Sequence, residues 1–140
     1  MSYYKRMGER RKLSVAYTSA FYRVFADPPF VLRVGDPSTE LDALLASHAA
    51  DTWAFVTACN PGSVMLPAEV NAERMSRLLG MLTSFITYPG ESSDPAGGWL
   101  EPSMLVVGIS RSEAVGVAKA FGQVAILAGE RGRAAELVWV

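Results

Sequence analysis

The chain has 140 residues, of which 50% are hydrophobic and 19% are charged, and its formal net charge is -1. This length suits one compact domain with one core, and this balance excludes the highly polar composition of disordered chains. A charge so close to zero excludes an overall electrostatic attraction to nucleic acid or to anionic lipid, so we expect neither as a partner.

The N-terminal residues 1–14 are polar and basic, with five lysines and arginines against one glutamate. They predict a basic N-terminal arm, frayed or folded as a short surface helix, followed by a single mixed α/β domain over residues 15–140. No apolar stretch of the secretion-signal type follows them. Aromatic and β-branched residues in 17–26 predict a strand, and residues 30–34 predict its hairpin partner.

Apolar residues at helical spacing from Leu41 to His48 predict the first helix of the domain. Residues 53–59 are almost continuously apolar, which is typical of a central strand covered on both faces. The turn sequence Asn-Pro-Gly-Ser at 60–63 ends this strand, and Pro67 suits the first turn of a second helix. Two prolines and three glycines in 89–99 then predict an exposed, mobile loop.

A second central strand is predicted over residues 103–109. Ser110 and Glu113 match the S-x-x-E capping box, which predicts the start of a third helix, and Gly122 predicts its end. Two further strands are indicated at 124–127 and at 136–140. The order of these elements predicts an α/β (α+β) fold, with a single mixed β-sheet of about six to seven strands and about three helices.

The supply of reactive residues disfavours several kinds of site. One histidine and one cysteine cannot provide the usual ligands of zinc, and the spacings typical of calcium sites are missing, so we expect no metal. An oxygen-only site for magnesium or calcium is the one alternative left open. The glycine patterns that bind phosphates and dinucleotides are missing, so we expect no cofactor. His48 and Cys59 are predicted at opposite ends of a strand, roughly 20 Å apart, which disfavours a nucleophilic pair. The single cysteine and the short apolar runs predict a cytoplasmic protein without a membrane partner.

Polar residues are concentrated where the predicted central strands begin and end. If the strand at 53–59 runs antiparallel to the two strands that flank the third helix, its end and their starts share one edge of the sheet. We therefore predict a cluster at this edge, beneath the loop at 89–99, and call it the polar rim. Asn71 and Arg74 join it because they lie in the opening turns of the second helix, which follows the first of these strands. Its members are Thr57, Asn60, Asn71, Arg74, Glu101, Ser103 and Gln123.

The polar rim has two interpretations. In the functional one, Arg74 and helix N-terminal amides hold an anionic group, while Glu101 acts as a general base or binds a metal. In the structural one, which the sequence favours, Arg74 pairs with Glu101 and the amide side chains satisfy backbone groups at turns and helix ends. The first predicts an open pocket, and the second predicts a fully paired surface.

Four short segments carry a resemblance to a known family. They are T-A-C-N-P-G-S (57–63), N-A-E-R (71–74), G-G-W-L-E-P-S-M-L-V-V-G-I (97–109) and F-G-Q-V-A-I-L (121–127). In this order they resemble the bacterial family known as domain of unknown function 3293, over residues 17–138, and L-R-V-G at 32–35 fits it too. Cys59 departs from the pattern, since an aromatic residue is expected there. The resemblance implies the extent of the domain and interest in the polar rim, but it gives those residues no roles.

Two functions are consistent with these patterns. The first is a domain that binds or hydrolyses a polar or anionic small molecule at the polar rim, with Glu101 as the candidate catalytic residue. The second is a non-enzymatic interaction module, such as a homodimer, whose partner surface includes Trp53, Trp99 or Trp139 and the terminal strand. The sequence decides neither the ligand nor whether a reaction is catalysed.

Overall fold

A computed structural model describes residues 3–140, and the side chains of residues 11–140. This part of the chain has four α-helices, seven β-strands and a short 3-10 turn at Pro61–Ser63. None of its helices is long and apolar enough to cross a membrane. The helices are α1 (Tyr3–Ser19), α2 (Thr39–Ser47), α3 (Ala68–Met81) and α4 (Arg111–Ala120). The strands are β1 (Phe21–Val24), β2 (Phe30–Leu32), β3 (Thr52–Val56), β4 (Ile86–Ser93), β5 (Leu100–Val107), β6 (Ala125–Glu130) and β7 (Glu136–Trp139).

The seven strands form one sheet in the order β2-β1-β4-β5-β3-β6-β7, and every neighbouring pair is antiparallel. Strand β3 lies between β5 and β6, which therefore run parallel to each other without sharing hydrogen bonds. Helix α4 connects β5 to β6 across β3. As predicted, the end of β3 and the starts of β5 and β6 meet at one edge of the sheet.

The sheet is covered by apolar side chains on both faces. On one face Leu45 of α2 belongs to the same buried cluster as Trp53 of β3. On the other face Leu78 of α3 and Ala118 of α4 share a buried cluster with Ala54 of β3. The continuous apolar run in β3 is thus explained, because this strand is buried on both faces.

The local signals for turns and helix ends are confirmed. Ser110 Oγ accepts a hydrogen bond from the Glu113 N–H at 3.1 Å, and the Glu113 carboxylate accepts one from the Ser110 N–H at 3.2 Å. Gly122 follows α4 with a φ of 66°, a left-handed conformation that glycine adopts without strain. Strands β1 and β2 pair as the predicted hairpin. Each of these features depends on residues that are close in sequence.

The predicted fold class is confirmed, with one helix more than expected. The prediction of a mixed sheet is wrong, because all six strand pairs in residues 3–140 are antiparallel: β3 separates the two parallel strands β5 and β6. The additional helix is α1, which extends to Ser19, so the strand predicted over 17–26 is wrong for its first part and reduces to Phe21–Val24. The hydroxyls of Thr18 and Ser19 donate to the carbonyl oxygens of Ser14 and Val15, both at 2.7 Å, which suits the last turn of a helix. Helix α1 spans most of the predicted basic arm, of which residues 1–2 and the side chains up to residue 10 lie outside the described part.

The prediction of a mobile loop over 89–99 is wrong for its first half. Strand β4 pairs with β1 and β5 as far as Ser93, so only residues 94–99 form the connection. Gly90 lies where the sheet packs too closely for a side chain, because a Cβ there would be 2.9 Å from the Phe55 ring and 2.3 Å from the Arg23 carbonyl oxygen. Proline and glycine usually indicate loops, but here the glycine permits close packing with residues that are distant in sequence.

Candidate ligand-binding site

A partly enclosed cavity of about 360 Å³ lies on one face of the sheet, at the edge where β3 ends and β5 and β6 begin. Helix α1 contributes Leu13, Ala16 and Tyr17 to its lining, and the sheet contributes apolar walls that include Phe55 and Leu127. The polar rim residues that line this cavity are Thr57, Asn60, Glu101, Ser103 and Gln123. Asn71 and Arg74 lie outside the lining.

Asn60 connects the turn after β3 to α3 and to Glu101. It is buried and has a φ of 49°, in the left-handed region that asparagine tolerates better than most residues. Asn71 binds it twice: Asn71 Oδ1 accepts from the Asn60 N–H at 3.0 Å, and Asn71 Nδ2 donates to Asn60 Oδ1 at 2.8 Å. Asn60 Nδ2 then donates to Glu101 Oε2 at 2.9 Å. Asn71 therefore positions Asn60, and Asn60 positions the carboxylate.

Glu101 brings a largely buried carboxylate to the cavity wall. Its Oε2 accepts hydrogen bonds from Asn60 Nδ2 and, at 3.2 Å, from Trp99 Nε1. Among the described residues nothing donates to Oε1, and no lysine or arginine pairs with the group. Burial raises the pKa of Glu101 above its ordinary value, because the loss of hydration outweighs the two hydrogen bonds to the charged form. As far as residues 11–140 are concerned, the cavity therefore contains an acidic group that lacks a counter-charge.

Arg74 bridges two parts of the backbone instead of pairing with Glu101. Its Nε donates to the Ala58 carbonyl oxygen at 2.6 Å, and its Nη2 donates to the Phe121 carbonyl oxygen. The guanidinium also lies 5.8 Å from the centre of the Phe121 ring. The Arg74–Glu101 ion pair of the structural interpretation is absent among residues 11–140, so that part of the prediction is wrong. Arg74 ties the segment after β3 to the end of α4, and its donors are turned away from the cavity.

The other lining residues of the polar rim use their donors within the protein. The Thr57 hydroxyl donates to the Pro102 carbonyl oxygen at 2.7 Å, and Gln123 Nε2 donates to the Cys59 carbonyl oxygen at 2.9 Å. The Ser103 hydroxyl donates to the Glu101 carbonyl oxygen at 3.2 Å. The structural interpretation thus describes these donors correctly. The same residues also line a cavity, which is the open pocket that the functional interpretation predicts.

Eight residues with polar or aromatic side chains line the cavity but were not predicted: Tyr17, Tyr22, Phe55, Ser63, Ser92, Ser93, Asp94 and Trp99. The Tyr17 hydroxyl lies 3.0 Å from Ser63 Oγ, which connects α1 to the turn after β3, and burial raises the pKa of Tyr17. The Tyr22 hydroxyl donates to the Tyr17 carbonyl oxygen at 2.6 Å. Tyr17 was missed because α1 was not predicted to continue through this residue, and Tyr22 was missed because the pairing of β1 with β4, which brings it to the cavity, was not predicted. Trp99 had a usable signal, since it stands two residues before Glu101.

The histidine and the cysteine do not meet, in agreement with the predicted separation. His48 Nε2 lies 2.6 Å from the Tyr88 hydroxyl, whereas Cys59 Sγ lies 3.7 Å from the Pro102 carbonyl oxygen at the other end of β3. Burial raises the pKa of the Cys59 thiol, which makes its thiolate scarce. The described residues contain no group of three or more histidine, cysteine, aspartate or glutamate side chains that could hold a metal ion.

Comparison with known proteins gives one match. The model of a family described as "Protein of unknown function (DUF3293)" matches residues 56–126, which is just over half of the chain. This segment contains all seven members of the polar rim. No curated protein and no solved structure matches the chain.

Proposed function

This chain belongs to the DUF3293 family of proteins of unknown function, and we propose that it is a small-molecule-binding domain. The ligand occupies the cavity between α1 and the sheet. Its polar end lies at Glu101, and its apolar part contacts Phe55 and Leu127.

The observation that supports the proposal most directly is a largely buried carboxylate in a cavity, without a counter-charge from any residue in 11–140. A cavity and an unpaired buried charge each lower the stability of a fold. Their presence together, in a volume typical of ligand sites, is explained if a ligand fills the space and interacts with the charge. The hydrogen bonds from Asn60 and Trp99 support this further, because they hold the carboxylate in one orientation.

A hydrolytic form of the proposal assigns Glu101 the role of general base. A raised pKa suits that role, because a base is most effective when its pKa approaches the working pH. Binding requires only the cavity, whereas hydrolysis also requires a water molecule or hydroxyl in line with the substrate. Binding is therefore the form that the geometry supports better, and an esterase activity that Glu101→Gln abolishes would establish the hydrolytic form.

A fluorescent probe and one cavity-filling variant test the binding proposal. Nile red is uncharged and becomes fluorescent in apolar surroundings, so we expect it to bind the full chain. Ala16→Trp places a large side chain on the cavity side of α1 and should weaken Nile red binding by about tenfold or more. Val15→Trp is the matched control, because Val15 lies on the same helix, is 68% exposed and does not line the cavity. Equal binding by both variants would contradict the proposal.

The second candidate is a non-enzymatic interaction module, with a homodimer as its simplest form. Its predicted tryptophans contact the protein's own residues, since Trp53 is buried and Trp99 donates to Glu101. What favours the module is an exposed apolar pair before α3, Val64 at 63% and Met65 at 65% exposure. Sedimentation of the full chain over a range of concentrations tests it, and a monomer at every concentration would contradict the homodimer.

We also propose a cytoplasmic location in a bacterial cell. The support is the single buried cysteine, which forms no disulfide within the chain and suits a reducing compartment. Fractionation of cells that express the full chain tests this location. Recovery of the protein outside the cytoplasmic fraction would contradict it.

A further inference from the structure

We propose that the cavity recognises an organic ammonium group, the charged end of a primary amine, beside Glu101. This inference rests on the proposed function, because it names the chemical class of the ligand that the same cavity binds. It also replaces the anionic ligand expected from the sequence. That expectation relied on Arg74, which does not line the cavity and whose Nε and Nη2 donate to the Ala58 and Phe121 carbonyl oxygens.

Within the polar rim, the side chains that line the cavity use their donors inside the protein and leave two acceptor oxygens without a donor among the described residues. Gln123 Nε2, Asn60 Nδ2 and the hydroxyls of Thr57 and Ser103 all donate to acceptors within the protein. Glu101 Oε1 and the side-chain oxygen of Gln123 receive no hydrogen bond from the described residues. A ligand that satisfies these oxygens must donate hydrogen bonds, and an ammonium group has three N–H donors and no acceptor.

The charges of the lining favour a cation over a neutral donor. Glu101 and Asp94 both line the cavity, and the lining contributed by residues 11–140 contains no lysine, arginine or histidine. An anionic ligand would therefore meet like charge at short range in partly dehydrated surroundings. An alcohol or amide could donate to Glu101, but only a cation also neutralises it, and hydrogen bonds between charged partners are about twice as strong as neutral ones.

Aromatic rings complete the surroundings of the carboxylate. Tyr17, Tyr22, Phe55 and Trp99 line the same cavity as Glu101. The faces of such rings attract cations, and the attraction increases when water is excluded. The Trp99 indole is held at the site by its hydrogen bond to Glu101 Oε2, and the Tyr22 and Phe55 rings pack edge to face with their centres 5.6 Å apart. Aromatic walls around an acidic group are a chemical environment that suits an arylalkyl amine.

Displacement of Nile red from the full chain by three compounds of the same skeleton tests the inference. The compounds are phenethylamine, phenethyl alcohol and phenylacetate, which carry a cation, a neutral donor and an anion. We expect phenethylamine to bind about tenfold or more tighter than phenethyl alcohol, and phenylacetate to bind weakest. Glu101→Gln keeps the size of the side chain but removes its charge, and should abolish the preference for the amine. Glu73→Gln on the exposed side of α3 is the matched control and should retain it.

The possible results separate this inference from the proposed function. Nile red bound in the cavity, with no preference for the amine or with a preference for phenylacetate, would overturn the ammonium assignment and leave a binding site of another class. A preference for the amine that persists in Glu101→Gln would also overturn it. Failure of Nile red to bind the unmodified chain would contradict the proposed function itself. A preference for the amine that is lost in Glu101→Gln and kept in Glu73→Gln would support both the ammonium assignment and the proposed function.

Discussion

Glu101 is the residue at which stability and the proposed function oppose each other. Its carboxylate is fixed by Asn60 and Trp99, yet burial still raises its pKa. A group in such surroundings is more expensive to keep charged in the folded chain than in water. Residues that lower stability without a structural benefit are common at functional sites, because selection retains them for binding or catalysis.

Glu101 should make the stability of the protein fall as the pH rises. Between the ordinary glutamate pKa of 4.5 and the raised value in the folded chain, the folded state binds more protons than the unfolded state. The free energy of unfolding of the wild type should therefore decrease with pH in this window, relative to that of Glu101→Gln. Urea denaturation of both proteins from about pH 4 to about pH 7 measures the difference.

The other groups of the site with a raised pKa do not obscure this result. Burial raises the pKa values of Cys59, Tyr17 and Tyr22 from ordinary values of 9.0 or 10.0, so these groups titrate above the window. Glu73→Gln, at an exposed position of α3, is the control for removing one negative charge. A stability difference between wild type and Glu101→Gln that does not change with pH would contradict the role assigned to burial.

Arg74 is a structural residue, and its replacement should show this. Arg74→Met retains much of the side-chain length but leaves the Ala58 carbonyl oxygen without its donor, and leaves the Phe121 carbonyl oxygen with only the 3.3 Å hydrogen bond from Gln123 Nε2. Ala58 and Phe121 are both buried, so we expect the free energy of unfolding to fall by about 2 to 4 kcal/mol. Arg77→Met, at an exposed position on the same helix, should change it by less than about 0.5 kcal/mol. Loss of ligand binding by Arg74→Met at unchanged stability would instead return Arg74 to the site.

At the scale of the elements, helix ends and turns are determined locally. The α4 capping box joins Ser110 to Glu113, three residues away, and both of its hydrogen bonds are formed. Helix α1 lacks an equally clear signal, because the tyrosine and threonine near its end favour strands by propensity. Strand β4 was missed for the opposite reason, since its proline and glycine resemble a loop. Propensity decides an element only where packing does not override it.

The cap of α4 should contribute a measurable part of its stability. Ser110→Ala removes the oxygen that accepts from the Glu113 N–H, and we expect a loss of about 1 kcal/mol in the free energy of unfolding. Ser112→Ala, two residues later at an exposed position in the same helix, is the control and should have a much smaller effect. Chemical denaturation measures both variants. Equal losses would show that the cap is unimportant.

For the whole molecule, the proposed function requires a route by which a ligand enters the cavity. Helix α1 covers the cavity, and its end is held to the rest of the chain by the Tyr17 hydroxyl, which lies 3.0 Å from Ser63 Oγ. The Tyr17 ring also contacts the ring of Trp139, with their centres 6.0 Å apart. An element held by few contacts opens before the core does, so α1 is the part whose movement would expose the cavity.

Tyr17→Phe should loosen α1 without unfolding the sheet. The substitution removes the hydrogen bond to Ser63 but keeps the aromatic ring, at an expected cost of about 1 kcal/mol. Amide hydrogen exchange in residues 11–19 should become about fivefold faster, while exchange in β3 and β5 should not change. Mass spectrometry of peptides after exchange measures both regions. Uniform acceleration throughout the chain would contradict a separate movement of α1.

The sequence predicted some of the residues that line the site, but it did not predict the specific contacts that these residues make. The polar rim was predicted from five residues at strand ends and from Asn71 and Arg74 in the first turns of a helix, and the five residues at strand ends line the cavity. The partners of Arg74 and the contributions of Tyr17 and Tyr22 could not be identified in this way. These contacts depend on where α1 and α4 pack, and no local pattern records the distance between two elements that are far apart in the chain.

The sequence by itself determined the fold class, the buried central strands, the capped helix and the edge at which polar residues collect. These features follow from apolar periodicity and hydrogen bonds within a few residues. Only the tertiary structure decided the insertion of β3 between β5 and β6, the close packing at Gly90 and the isolation of Glu101 from Arg74. The physical reason is that strand pairing, steric fit and burial depend on partners that chain folding brings together, and the free energy of each choice depends on the whole packed core.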